Sequence, residues 1–178
     1  MVISKEEIKQ EIHKSFDGVV LGDGIGLKQA EAINFYYDQW LVLKARSEDE
    51  AESWNRISCE DIKRYWGATF FFDHEGMRFH LPALMMYCID AGELGGVSCD
   101  RPGLLFHLSR AANGNAYSRQ KFSTLTLRQI ECVIMFMEYM FAEWGDDNVS
   151  KLAMYDKNCL EESIRGWKKI RSQKSGQT

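Results

Sequence analysis

Residues 70–87 read FFFDHEGMRFHLPALMMY, and the fold class turns on how that stretch divides. The three consecutive Phe, Phe70–Phe72, suit a helix end or a short buried strand, because three apolar residues carry no period. DHEG, Asp73 to Gly76, reads as a turn. MRFHL, 77–81, alternates loosely and admits a brief strand, so the reading allows one short two-stranded β element. Pro82 suits the first turn of a helix, where its missing N–H goes unused. A helix is therefore predicted from Pro82 to about Asp90, stopped by Gly92, Gly95 and Gly96.

Outward from this centre the patterns are helical. Ile3, Ile8, Ile12 and Phe16 share a face, which predicts a helix over 3–16. A second helix is predicted from Lys28 to Arg46, with Ala30, Ile33, Tyr37, Trp40 and Leu41 on one stripe. The acidic SEDEAES, 47–53, ends it as a solvated connection. Ser58 with Asp61 resembles a capping box and starts a short helix near Cys59, with Trp54 and Ile57 as a staple. Residues 93–103 read as a loop, PGLLFHLSR as a short helix, and AANGNAYS as a second loop. Thr126 with Gln129 forms a capping box. Ile130, Val133, Ile134, Met137, Met140, Phe141 and Trp144 then recur as a central helix of about 18 residues ending at Gly145. A last helix spans 150–170, carrying Leu152, Leu160, Ile164 and Trp167. The fold class is mainly α: a single irregular helical domain over 1–170, with 171–178 a frayed tail.

Bulk properties agree with that class. In 178 residues, 45% are hydrophobic and 12% aromatic, enough for a core without disulfide staples. The only prolines are Pro82 and Pro102, which permits long helices. Five cysteines with no CxxC pair read as reduced thiols, several of them buried. The N-terminal MVISKEEIKQEIHKSF lacks an apolar signal core, and no run reaches the ~18–20 apolar residues of a membrane span. The expected location is cytoplasmic.

Net charge is −4 and uneven, for residues 163–178 hold five bases and no acids. The remainder carries 17 bases against 26 acids, a net −9. An acidic body disfavours nucleic acid, which is held by neutralising phosphates, and suits a basic protein partner. The basic tail complements the negative end of a terminal helix.

Several segments invite chemistry. LGDGIGL, 21–27, holds Gly22, Gly24 and Gly26 before a helix, but the third glycine falls one position early for a dinucleotide fingerprint and no Lys-Ser/Thr follows as in a P-loop. It reads as a turn. His74, His80 and His107, with Asp73 and Glu75, are metal-ligand types. The six-residue step from His74 to His80 fits neither a helix face nor an HExxH pair, so no metal or other cofactor is assigned. No GxSxG elbow occurs, and no catalytic residue is assigned. Arg78 lies between Met77 and Phe79. It reads as a tether for the 73–76 turn or as a contact for an anion or partner. Asp73, His74, Glu75, Arg78 and His80 are therefore the candidate polar-site residues.

The same centre carries a resemblance. Trp54 and Ile57, then Phe71–Phe72, Glu75–Ala83 and the apolar run Leu84–Ile89 match the pattern of a bacterial family of small proteins known only as a domain of unknown function. LGDGIGLKQAEAINFY and FSTLTLRQIECVIMFMEYM are similar as well, so the likeness covers most of 16–145. It implies a shared fold and no activity.

Three functional expectations follow. The leading one is a non-enzymatic binding protein, in its sharpest form a cytoplasmic immunity protein neutralising a basic toxin or effector. The second is a small enzyme or metal- or ligand-binding domain using His74, His80 and Arg78. The third is a homo-oligomeric scaffold, a homodimer for instance, self-associating through Leu160 and Trp167.

Overall fold

The computed structural model describes residues 3–93, 103–148 and 157–176. Among these residues there are nine α-helices and no strand. Helix α1, Lys5–Ser15, begins with a reciprocal capping box. The Glu7 amide donates to the Ser4 hydroxyl and the Ser4 amide to the Glu7 carboxylate. Its expected face is buried, with Ile8, Ile12 and Phe16 inaccessible to solvent. Each contributes about 2 kcal/mol by leaving water.

The segment expected as one helix over 28–46 is two. Helix α2 is Leu27–Asn34 and α3 is Gln39–Ser47. The break has a local cause. Tyr36 takes a left-handed backbone, φ +55, and the Asp38 carboxylate caps α3 by accepting from the Leu41 amide at 2.9 Å. The chain then returns so that Asp49 caps α2, accepting from the amides of Lys28 (2.8 Å) and Gln29 (3.2 Å). The result is a closed helical hairpin.

A 3₁₀ turn, Trp54–Arg56, precedes α4, Cys59–Arg64, which Ser58 caps as expected. Trp54 is buried and donates its indole N–H to the Phe16 carbonyl at 2.9 Å. A second 3₁₀ turn, Trp66–Phe70, takes in the start of the Phe run.

The decisive stretch is then a single helix, α5, His74–Glu93, with Pro82 in its interior. The DHEG turn and the two-stranded β element are corrected by this finding. Asp73 is the helix cap, its carboxylate accepting from the Gly76 amide at 2.8 Å. The alternation in MRFHL misleads because α5 is buried on nearly every side. Met77, Phe79, His80, Leu81 and Leu84 are all at most 2% exposed, and a helix wrapped by the core loses the 3.6-residue period. Gly92 also lies inside α5, so it does not stop the helix; Gly95 and Gly96 fall outside the described residues.

Helix α6 is Leu104–Ala112, and the expected second loop contains the start of a further helix, α7, Ala116–Lys121. Helix α8, Leu127–Asn148, opens with the predicted capping box and passes through Gly145. The Gln129 side chain also donates to the Ser15 carbonyl at 3.2 Å, which ties α8 to the end of α1. Helix α9, Lys157–Ser175, continues beyond residue 170 into the segment expected to fray. Packed on α6 and α8, it buries Leu160 and Trp167. Those two residues form core and not the self-association surface expected of them.

Candidate functional site

The N-terminus of α5 is a junction of segments far apart in sequence. The Asp73 carboxylate accepts from the Ile25 amide at 3.1 Å as well as from Gly76. Gly24 and Gly76 meet backbone to backbone, since a Cβ on Gly76 would lie 2.3 Å from the Ile25 carbonyl oxygen. LGDGIGL is thus a packing loop seated on α5. The α2 amides that follow it are occupied by the Asp49 carboxylate, in the position a bound anion would take.

From the other side α7 closes the junction. The buried Lys121 ammonium donates to the carbonyls of Phe70 and Phe72. The Tyr117 hydroxyl donates to the Phe70 carbonyl at 2.8 Å. Thr124 donates to the His74 carbonyl at 3.1 Å. Burial lowers the Lys121 ammonium to about 8, against the pull of the Asp73 charge.

The candidate residues divide here. Asp73 is structural in its contacts. His74 and Glu75 are exposed on the first turn of α5, where the Glu75 amide donates to the His74 ring at 3.1 Å. Arg78 is half-buried, and its Nε lies buried without a partner. No hydrogen bond or ion pair to Asp73 or Glu75 gives it the tether role expected for it. His80 is buried, with Nδ1 2.7 Å from the Gly76 carbonyl and its ring stacked on Phe72 at 4.3 Å. Burial drives it down to about 4. His107 is buried against Phe70 and Phe106, with neither ring nitrogen partnered. Burial, then the charges of Lys121 and Arg110, lower it to about 4. Both rings are therefore neutral at pH 7. Among the described residues no group of three or more His, Cys, Asp or Glu is arranged to hold a metal. Cys132 is buried, its thiol pushed up to about 12, so it is no nucleophile at neutral pH.

A different region presents its chemistry outward. At the α2–α3 corner every residue from Phe35 to Trp40 is exposed. Tyr36 is 95% and Trp40 67% exposed, and Leu43 continues the stripe one turn along α3. No residue of α3 is buried. Phe35 and Tyr37 stack at 6.0 Å, and the Lys44 ammonium lies 5.6 Å from the Trp40 ring centroid. The exposed Trp66 is close by, because its neighbour Gly67 abuts Asn34 at the end of α2. Tyr36 combines near-complete exposure with a left-handed backbone, which costs a non-glycine residue about 1 kcal/mol or more.

This aromatic corner was not among the sequence candidates. Tyr37 and Trp40 fall on the stripe of an uninterrupted helix and read as core. The signal against that was Asp38, a good N-cap residue inside the supposed helix.

No curated protein and no solved structure matches the chain. A model of a family of unknown function, DUF6714, matches residues 4–170. That span takes in every described helix but the last residues of α9, and the chain belongs to that family.

Proposed function

We propose that this chain is a non-enzymatic protein-binding domain, and in its sharpest form a cytoplasmic immunity protein that neutralises a bacterial toxin or effector. The observation that carries the reading is the α2–α3 corner, where Phe35, Tyr36, Tyr37, Trp40 and Leu43 face solvent on a closed hairpin. Binding energy at interfaces concentrates in Trp and Tyr side chains that fill a partner's pockets, and solvent-facing apolar clusters of this kind mark interaction sites. Charge gives the partner's sign. Apart from its last 16 residues the chain is net −9; along α3 itself Lys44 and Arg46 offset Asp38 and Glu48, so the excess of acid belongs to the body as a whole. A basic protein is attracted to such a body over about a Debye length.

The test is co-expression of the tagged chain with the product of the adjacent gene, read by size exclusion and by cell survival. A stoichiometric complex that protects the cell is expected, and Trp40→Ala should weaken it about 30-fold or more, as a hot-spot residue does. A complex indifferent to both Trp40→Ala and Tyr36→Ala would move the binding surface elsewhere. Failure to protect against any neighbouring gene product would end the immunity reading.

A further inference from the structure

We infer that the α2–α3 corner is closed by a second copy of this chain, with α3 of one copy packed on α3 of the other about a two-fold axis. The pairing rests on the reading of the corner as an interaction surface, and it regulates that surface. A partner protein reaches Trp40 and Tyr36 only by displacing the copy.

Helix α3 is apolar in sequence yet lies outside the core. It reads QWLVLKARS, with Trp40, Leu41, Val42 and Leu43 in succession, and none of its residues is buried. Among the described elements it packs chiefly on α2. Leu41, Val42 and Ala45 are half-buried, whereas Trp40, Leu43 and Lys44 are exposed at three- and four-residue spacing, which is one outer face. A helix this short draws its stability from tertiary packing, and its outer face has none among the described residues.

The area suits a dimer. Phe35, Tyr36, Tyr37, Trp40 and Leu43 leave on the order of 600 Å² in water, taking about 200 Å² for a whole aromatic side chain. That stands at the top of the roughly 300–600 Å² of the largest apolar patch on a typical monomer, and the exposed Trp66 adds to it. Two copies face to face would cover about 1,200 Å², above the ~1,000 Å² expected of a specific interface. A two-fold contact uses the same patch twice, and aromatic rings pack on one another edge to face or offset without a shaped pocket.

Charge at the patch permits the pairing. Asp38 and Glu48 balance Lys44 and Arg46 along α3, so the corner does not repel its copy although the body is acidic. An antiparallel pair sets the Asp38 end of one helix beside the Lys44–Arg46 end of the other and opposes the two helix dipoles. The Asp38 carboxylate gives Oδ1 to the cap on α3 and has its second oxygen for that contact. The acidic body thus draws a basic partner towards the chain, while the balanced corner accepts a second copy.

Sedimentation equilibrium of the full chain at pH 7.5, from about 1 to 200 µM, reads the association. A monomer–dimer equilibrium with a Kd of about 10 µM is expected, which a tight-binding partner would overcome. Trp40→Ala should raise that Kd about 30-fold or more, and Leu43→Lys about tenfold or more. Both variants should keep the melting temperature of the parent monomer, because neither residue is buried. A chain that is monomeric over the whole range overturns the proposal and leaves the corner open to a different protein. A dimer that both variants leave intact overturns it too, by placing the contact elsewhere. A dimer lost in Trp40→Ala upholds the pairing even where no neighbouring gene product binds, a result that ends the immunity reading alone.

Discussion

At the residue scale, two side chains work against their surroundings. His107 is 1% exposed with both ring nitrogens unpartnered. A buried polar group without a hydrogen bond costs about 1–3 kcal/mol. His107→Phe places a similar ring among Phe70 and Phe106, and is expected to raise stability by about 1 kcal/mol or more, read as a higher urea midpoint. A lower midpoint would mean that the ring nitrogens are satisfied after all. Tyr36 is the other. Glycine adopts its left-handed backbone without strain, so Tyr36→Gly should leave thermal stability unchanged or slightly raised while weakening partner binding about 30-fold or more. A fall in melting temperature as large as the fall in affinity would make Tyr36 a structural residue.

At the element scale, α5 and the glycine loop depend on a contact that no side chain can enter. Gly76→Ala would put a methyl group 2.3 Å from the Ile25 carbonyl oxygen and 2.9 Å from the Asp73 carboxylate. Neither neighbour can yield without breaking the cap on α5. A loss of about 2–4 kcal/mol is expected, in the range of severe packing defects. Denaturant unfolding of the purified variant reads it, and a loss under 1 kcal/mol would contradict the packing described. Exposed Gly114, with nothing within 4 Å of its Cβ position, serves as the comparison, though its φ of +88 makes Gly114→Ala mildly strained as well.

At the scale of the whole molecule, the buried imidazoles make stability depend on pH. His80 and His107 titrate at about 4 in the folded chain, against an ordinary 6.5. Between those values the unfolded chain binds protons that the folded chain does not. Stability is therefore full above pH 6.5 and falls as the pH drops towards 4. Each ring contributes on the order of 3 kcal/mol to that loss, against a total stability of about 5–15 kcal/mol for a typical domain. Urea midpoints at pH 7.5, 6 and 5 should decline steadily, and His107→Phe should flatten the decline by about half. A midpoint unchanged between pH 7.5 and 5 would rule out burial of the two neutral rings.

What the sequence by itself determined was local. The capping box at Thr126, the cap at Ser58 and the amphipathic faces of α1 and α8 were legible because each is read over three or four neighbouring residues, though Ser58 caps α4 one way only, without the reciprocal bond of a box. The mainly helical class followed from them, as did the importance of residues 70–87. Only the tertiary structure decided that those residues form one helix. Burial on nearly every side removes the period, and a buried helix packed by α1 and α7 carries a proline that an isolated helix would reject. It also decided which aromatics face water. Trp167 and Trp40 both sit on apolar stripes of helical spacing, yet one is covered by α6 and the other by nothing described. The junction at Asp73 joins residues 25, 73 and 121, and spacing along a chain carries no record of such meetings.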